Sequence, residues 1–238
     1  MRLPILFHPT TVVLVDDSDS FLKSLSFQLD PLLPSKTFHD TAVALDWFAR
    51  STRREDLPLH VDFDSLSQSP DQPNVAVDMR RIHRVCEQPL RFTIPSVLVV
   101  DYSMPQMNGV EFCEALQHLP TKKILFTGAA DEKIAVDAFN RGLIDRYIKK
   151  SDDDALDRLE VEIGTMQRAF FLDYTQTLAD MLALHDFSFL RCQAMAAVVQ
   201  DLYRRHGFVE HYLYPGPAGI LFFDRYGRAK LMVIETEQ

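Results

Sequence analysis

Val97-Leu98-Val99-Val100-Asp101-Tyr102-Ser103-Met104-Pro105-Gln106-Met107-Asn108-Gly109 carries four consecutive apolar residues into one carboxylate and then into a Pro and Gly loop. An unbroken apolar run is how a strand reads when both of its faces are buried, as in a parallel sheet. An acid where the strand runs out lies at the carboxyl edge, where open α/β folds place their chemistry. Three further stretches end in the same way. Thr11-Val12-Val13-Leu14-Val15 leads into Asp16-Asp17, Lys123-Ile124-Leu125-Phe126 into Thr127, and Arg146-Tyr147-Ile148 into Lys149. Together the four ends deliver three carboxylates, a hydroxyl and an ammonium. That set suits a carboxylate nucleophile that accepts a phosphoryl group beside a divalent cation.

Helical stretches separate these strands. The spacing predicts helices over 19–29, ended by Pro31, over 41–50, from Val110 to His118, and over 131–141, with a short strand near 36–39. Strands alternating with helices predict a doubly wound α/β domain, with a five-stranded parallel sheet covered on both faces. Residues 51–95 lose this periodicity. They carry Pro58, Pro70 and Pro73 and a polar run from Ser65 to Gln72, and read as loop, with one helix expected from Val75 to Cys86.

Beyond Ser151 the pattern turns helical. Ser151-Asp152-Asp153-Asp154 is a helix start with acids at the positive end of the dipole. Leu156, Leu159, Ile163, Met166, Phe170, Tyr174, Leu178 and Met181 follow at spacings of three and four, which predicts one long helix. Such a stripe serves either packing on the chain's own C-terminal segment or a homodimer seam through the 152–184 helix, and the spacing leaves both open. A second helix near 188–206 ends at Gly207, and strands are expected at Val209–Tyr214, Ile220–Asp224 and Ala229–Ile234, as a small meander. The domain division read from this is 1–160, with an insertion at about 51–95, followed by a small α+β output or dimerisation module over 161–238.

Composition excludes several classes of function. The formal net charge of −9 and 47% hydrophobic content describe an acidic, core-forming chain rather than a nonspecific nucleic-acid binder, and no DNA binding is expected. Three isolated cysteines give neither a disulfide framework nor a zinc pattern. The scattered histidines lack ligand spacing, and His83 with Arg80, Arg81 and Arg84 reads as a solvated helix face in preference to a phosphate-reading cluster. With no apolar stretch of spanning length and no leader pattern, the expected setting is cytoplasmic, away from membranes.

The strand-end residues resemble the receiver domain of two-component response regulators over residues of about 11–160. Asp16-Asp17, Asp101 with Met104-Pro105 and Gly109, Thr127 followed by Gly128, and Lys149 carry the resemblance. Singly, each has an ordinary reading: a helix cap, a loop hydroxyl, a solvated edge charge. Jointly they imply a flavodoxin-like fold and a phosphorelay. Asp101 would accept the phosphoryl group of a sensor histidine kinase or phosphotransfer protein. Asp16, Asp17, Asp101 and the backbone carbonyl of Ser103 would hold Mg²⁺. Thr127 and Lys149 would contact the phosphoryl oxygens. The chain would catalyse its own phosphorylation and hydrolysis without turning over a separate metabolite.

Three features depart from the family pattern. The stretch from Asp17 to Asp101 is longer by roughly 40 residues. Arg146 stands three residues before Lys149, where the family carries an aromatic rotamer switch, and strand alternation points Tyr147 the other way. Lys150 replaces the following Pro. Two alternatives accompany the resemblance. One is a degenerate receiver acting as a constitutive interaction module. The other is a phosphohydrolase of the haloacid dehalogenase type, built on Asp17-Ser18-Asp19. Ser103 and Ala129 are the small residues expected to flank the pocket, where they would admit water to an acyl phosphate.

Overall fold

The computed structural model describes residues 2–51, 80–128, 132–183 and 187–235. The expectations for Ala129, for residues 75–79 and for the polar run from Ser65 to Gln72 lie outside the described residues. The chain divides into two compact units. Among the described residues, one holds 9–51, 92–128 and 132–174, and the other holds 2–8, 80–91, 175–183 and 187–235.

The first unit is built on a parallel sheet. Its strands are β2 (Thr11–Val15), β3 (Ser35–Phe38), β4 (Pro95–Val100), β5 (Lys122–Thr127) and β6 (Arg146–Lys149), in the order β3-β2-β4-β5-β6. Every pairing is parallel, with Val15 opposite Val100 and Thr127 opposite Lys149 at the carboxyl edge. Side chains alternate between two apolar layers. Val13, Val15, Leu98, Val100 and Leu125 face α2 (Thr41–Ser51), α4 (Gly109–Ala115) and α5 (Glu132–Asn140), where they meet Phe48, Phe112 and Ala138. Val12, Leu14, Val97, Val99, Ile124, Phe126 and Ile148 face α1 (Asp19–Gln28) and α6 (Ala155–Leu182). The doubly wound five-stranded sheet expected from the apolar runs is therefore present. The helix expected to reach His118 stops earlier, at Ala115, and Leu116 closes it outside helical geometry.

The long helix expected after Ser151 is α6, 28 residues long. Leu159, Ile163 and Met166 are buried in the layer beside α1, and Phe170 and Leu178 are also buried within the single chain. Part of the apolar stripe is thus covered within the chain, while Leu156 stays exposed and Tyr174 and Met181 are half-buried.

The second unit holds a four-stranded antiparallel sheet in the order β1-β7-β8-β9. Its strands are β1 (Leu6–Phe7), β7 (Phe208–Pro215), β8 (Ala218–Asp224) and β9 (Ala229–Val233). The meander of three strands matches expectation, and the fourth strand comes from the start of the chain, where Leu6 pairs with Tyr212 and Phe7 with His211. A boundary at residue 160 would fall inside the continuous α6, and residues 2–8 and 80–91 group with the C-terminal sheet.

The expected helix over 188–206 is split. A 3-10 turn at Ser188–Arg191 gives way at Cys192, whose ψ of 117° is extended, to α7 (Gln193–His206). Gly207 closes α7 with φ 63°, the left-handed geometry that a residue without Cβ adopts freely. Tyr203 on α7 donates its hydroxyl to Nδ1 of His211, whose Nε2 donates to the carbonyl of Pro4 at 2.9 Å, so one neutral tautomer satisfies both contacts.

Within 51–95 the described part forms α3 (Arg80–Arg84), two 3-10 turns and the approach to β4. Arg80, Arg81 and Arg84 are exposed while Ile82 is buried, and the His83 ring lies 5.1 Å from that of Tyr214 on β7. Arg91 grips Glu210 on β7 through two hydrogen bonds of 3.0 and 3.2 Å, and Tyr212 donates to the same carboxylate. Burial works to lower the Arg91 pKa, and the Glu210 carboxylate outweighs it and raises it. Burial, reinforced by Glu210, pushes the Tyr212 phenol well above its ordinary value. Among the described residues no helix is long and apolar enough to cross a membrane.

Two substitutions test these cores. Phe48 is fully buried, and its ring lies 5.3 Å from the single tryptophan, Trp47. Phe48→Ala should cost about 3–5 kcal/mol in urea unfolding followed by Trp47 fluorescence. Arg91→Met leaves the Glu210 charge buried without its cation. It should cost about 3–5 kcal/mol, read by circular dichroism across a urea series, with Arg91→Lys losing less.

Candidate functional site

Parity along each strand decides which side chains meet at the carboxyl edge. Asp16 continues the series of Val12 and Leu14, and Asp101 that of Val97 and Val99, so both emerge on the side that faces α1. Backbone bonds carry the ladder past the strand ends: Asp16 N–H donates to the Phe38 carbonyl, Asp101 N–H to that of Val15, and Lys150 N–H to that of Thr127. Asp16 is 5% and Asp101 8% exposed. Two carboxylates this buried need hydrogen bonds and a counter-charge.

Both needs are met in the same way. One oxygen of each acid takes a backbone N–H two residues along. Ser18 N–H donates to Asp16 Oδ1 at 2.9 Å, and Ser103 N–H to Asp101 Oδ2 at 2.7 Å. The remaining oxygens share one ammonium. Lys150 Nζ lies 2.5 Å from Asp16 Oδ2 and 2.8 Å from Asp101 Oδ1.

The ammonium expected from Lys149 is therefore supplied by its neighbour. Lys149 lies in β6 on the parity opposite to the buried Ile148, and is exposed. Lys150 shares the parity of Ile148 and so reaches the α1 side, where the acids are. This also moves the aromatic position. Tyr147 stands three residues before Lys150 and packs, half-buried, on the layer of α2, α4 and α5. Arg146 turns instead to α6, with its Nε 2.9 Å from Glu162.

Of the other expected residues, Thr127 is fully buried at the end of β5, and Ser103 follows Asp101 as its backbone donor. Asp17 is exposed, and Asp19 pairs with Lys23 one turn along α1, so Asp17-Ser18-Asp19 does not converge as a phosphohydrolase start would. Asn108 caps α4 with a capping box: it accepts from the Val110 and Glu111 N–H groups, while its own N–H donates to Glu111. A Cβ on Gly109 would lie 2.1 Å from the Asp101 carbonyl oxygen, so only glycine allows the loop to return this close.

A divalent cation is tested against the same geometry. Asp16 and Asp101 already converge on one positive charge, and carboxylate oxygens are the hard donors that Mg²⁺ takes. Among the described residues no three His, Cys, Asp or Glu side chains are gathered closely enough to hold a metal ion, so Asp17 is not drawn in with the other two. The fit lies in the donor chemistry and in the Asp16–Asp101 pair.

Two residues at the site were not picked out from the sequence. Lys150 carried a signal, the alternation that buries Ile148. Phe21 projects from α1 toward the same point, five residues after Asp16, and its ring centroid is 4.1 Å from Lys150 Nζ.

The chain is similar to several known proteins. The family model of the response regulator receiver domain matches residues 69–159. The response regulator LqsR of Legionella pneumophila superposes with a TM-score of 0.78 at 33% identity, covering 97% of this chain and 68% of that one. A protein-glutamate methylesterase/protein-glutamine glutaminase of Cupriavidus metallidurans is 30% identical over 148 residues, which are 61% of this chain and 35% of that protein. The corresponding protein of Chromohalobacter salexigens is 29% identical over 124 residues, covering 51% of this chain and 28% of that protein. The chain spans about a third of the length of these curated relatives.

Gly109→Ala tests the closeness of the loop. The added methyl meets backbone rather than a flexible side chain, so the variant should lose about 1–3 kcal/mol in thermal or urea unfolding. Gly128→Ala, which has open space around its Cβ, should lose less than half as much.

Proposed function

The chain belongs to the response-regulator family and carries its receiver domain, and from that membership we propose that Asp101 accepts a phosphoryl group from a sensor histidine kinase or phosphotransfer protein. One observation carries the assignment: two buried carboxylates at the carboxyl edge of a parallel sheet clasp a single lysine. In this reading Asp101 attacks phosphorus, the P–N bond to the donor imidazole breaks, and the imidazole leaves with its electron pair. Lys150, already at Asp101, neutralises charge on the transferred group, and the Thr127 hydroxyl donates to one of its oxygens. Tyr147 is the aromatic that follows the movement of Thr127.

Asp16, Asp101 and the Ser103 carbonyl, with Asp17 once it turns inward, are the groups that would hold Mg²⁺. When bound, the cation offsets the charge on the phosphoryl oxygens that two carboxylates would otherwise repel. The reading places the protein in the cytoplasm. It gives the second sheet, with α7, the role of an output module whose contacts respond to the state of Asp101. It takes nothing from the ester hydrolysis that the names of the curated relatives state, and it assigns no turnover of a separate metabolite.

The test is intact mass after incubation with Mg²⁺ and acetyl phosphate. Wild type should gain a phosphoryl adduct, and Asp101→Asn should gain none. Lys149→Met should label at close to the wild-type rate, while Lys150→Met should fall by about tenfold or more. Loss with Lys149→Met and retention with Lys150→Met would overturn the lysine assignment. Labelling that survives Asp101→Asn and vanishes with Asp17→Asn would move the nucleophile to the end of β2. An adduct in no variant would favour a constitutive interaction module.

A further inference from the structure

We propose that Phe21 is a positioning residue whose ring holds the Lys150 ammonium between Asp16 and Asp101, and thereby sets how readily a divalent cation displaces it. The proposal rests on the reading of Asp16 and Asp101 as cation ligands.

Among the described residues Lys150 has four attractive partners. Two are the carboxylates, the third is the face of Phe21 at 4.1 Å, well inside the roughly 6 Å over which a ring attracts a cation, and the fourth is the Phe126 ring at 5.9 Å, near the limit of that reach. The Phe21 ring is itself supported. It leans on Phe126 with centroids 6.1 Å apart at 39°, and Phe126 is 2% exposed. It is also geared to the first acid. Ser18 gives its N–H to Asp16 Oδ1, and its hydroxyl accepts the N–H of Phe21, so one residue orients both the carboxylate and the first turn of α1. A cavity of about 10 Å³ is bounded in part by Asp16, Asp101, Phe21 and Phe126, which places the ring at the site rather than beside it. The Lys150 side chain is 22% exposed, a partly desolvated setting in which the attraction of a ring for an ammonium exceeds its value in open water.

A divalent cation and the lysine compete for the same two carboxylates. The ring favours the lysine, so it lowers the affinity of the pair for the competitor. Weakening the negative face of the ring while keeping its bulk should therefore tighten Mg²⁺ binding, and only while Lys150 is present.

The experiment is calorimetric titration of Mg²⁺ into the full chain in four forms. Phe21→Met, which fills the same space without a ring, should lower the Mg²⁺ Kd about threefold to tenfold. Phe21→Tyr keeps the face and should stay within about twofold of wild type. In a Lys150→Met background, adding Phe21→Met should leave the Kd unchanged, because the coupling passes through the ammonium. A Phe21→Met shift of equal size in both backgrounds would mark a structural role and overturn the proposal, as would no shift in either. Binding of Mg²⁺ by wild type separates these outcomes from failure of the cation-site reading, since a wild type that binds no Mg²⁺ overturns both.

Discussion

Because both faces of β2 and β4, in the middle of the parallel sheet, are buried, a charge on either strand is placed only where it runs out. Every residue of β2 and β4 is buried, and each strand yields its first acid one position past its end. The apolar layers thus restrict the site to one edge, and strand alternation restricts it to one side of that edge. Asp16, Asp101 and Lys150 meet because all three inherit the orientation of buried residues beneath them. Two carboxylates so placed repel, and the shared ammonium offsets that repulsion. The backbone donors at Ser18 and Ser103 reduce that repulsion further, and they tie each acid to the turn that launches the next segment.

Much of this was legible in the amino-acid order. Unbroken apolar runs announce strands buried on both faces, and the residues that end them announce an edge with chemistry. The choice between Lys149 and Lys150 shows where reading the order falls short. Two adjacent lysines are equivalent in composition and differ only in parity, and parity is fixed by burial of Ile148 rather than by where the basic run begins. The same correction returns an aromatic, Tyr147, to the position that had been assigned to Arg146. Gly109 was legible as a motif residue, but the reason for it, a backbone oxygen too near for any Cβ, exists only in three dimensions.

The second unit was legible in part. The meander and the glycine cap of α7 follow from local turn chemistry, which nearest neighbours in sequence decide. The strand β1 does not, because two residues have no periodicity to read and their partners lie far along the chain. The stripe on α6 was equally visible, yet spacing alone is the same whether the covering surface belongs to the same chain or to another. Here the chain itself covers Leu159, Ile163 and Met166.

The pairing of Leu6 with Tyr212 has a consequence in time. A ribosome adding roughly 5–20 residues each second makes β1 some ten to forty seconds before the strand it needs. The parallel sheet draws its strands from residues 11–149, so its pieces are all available well before β7 is made. The antiparallel sheet thus closes after the parallel one can, with its first strand held in reserve until β7 is made, as a loose end waiting for its knot.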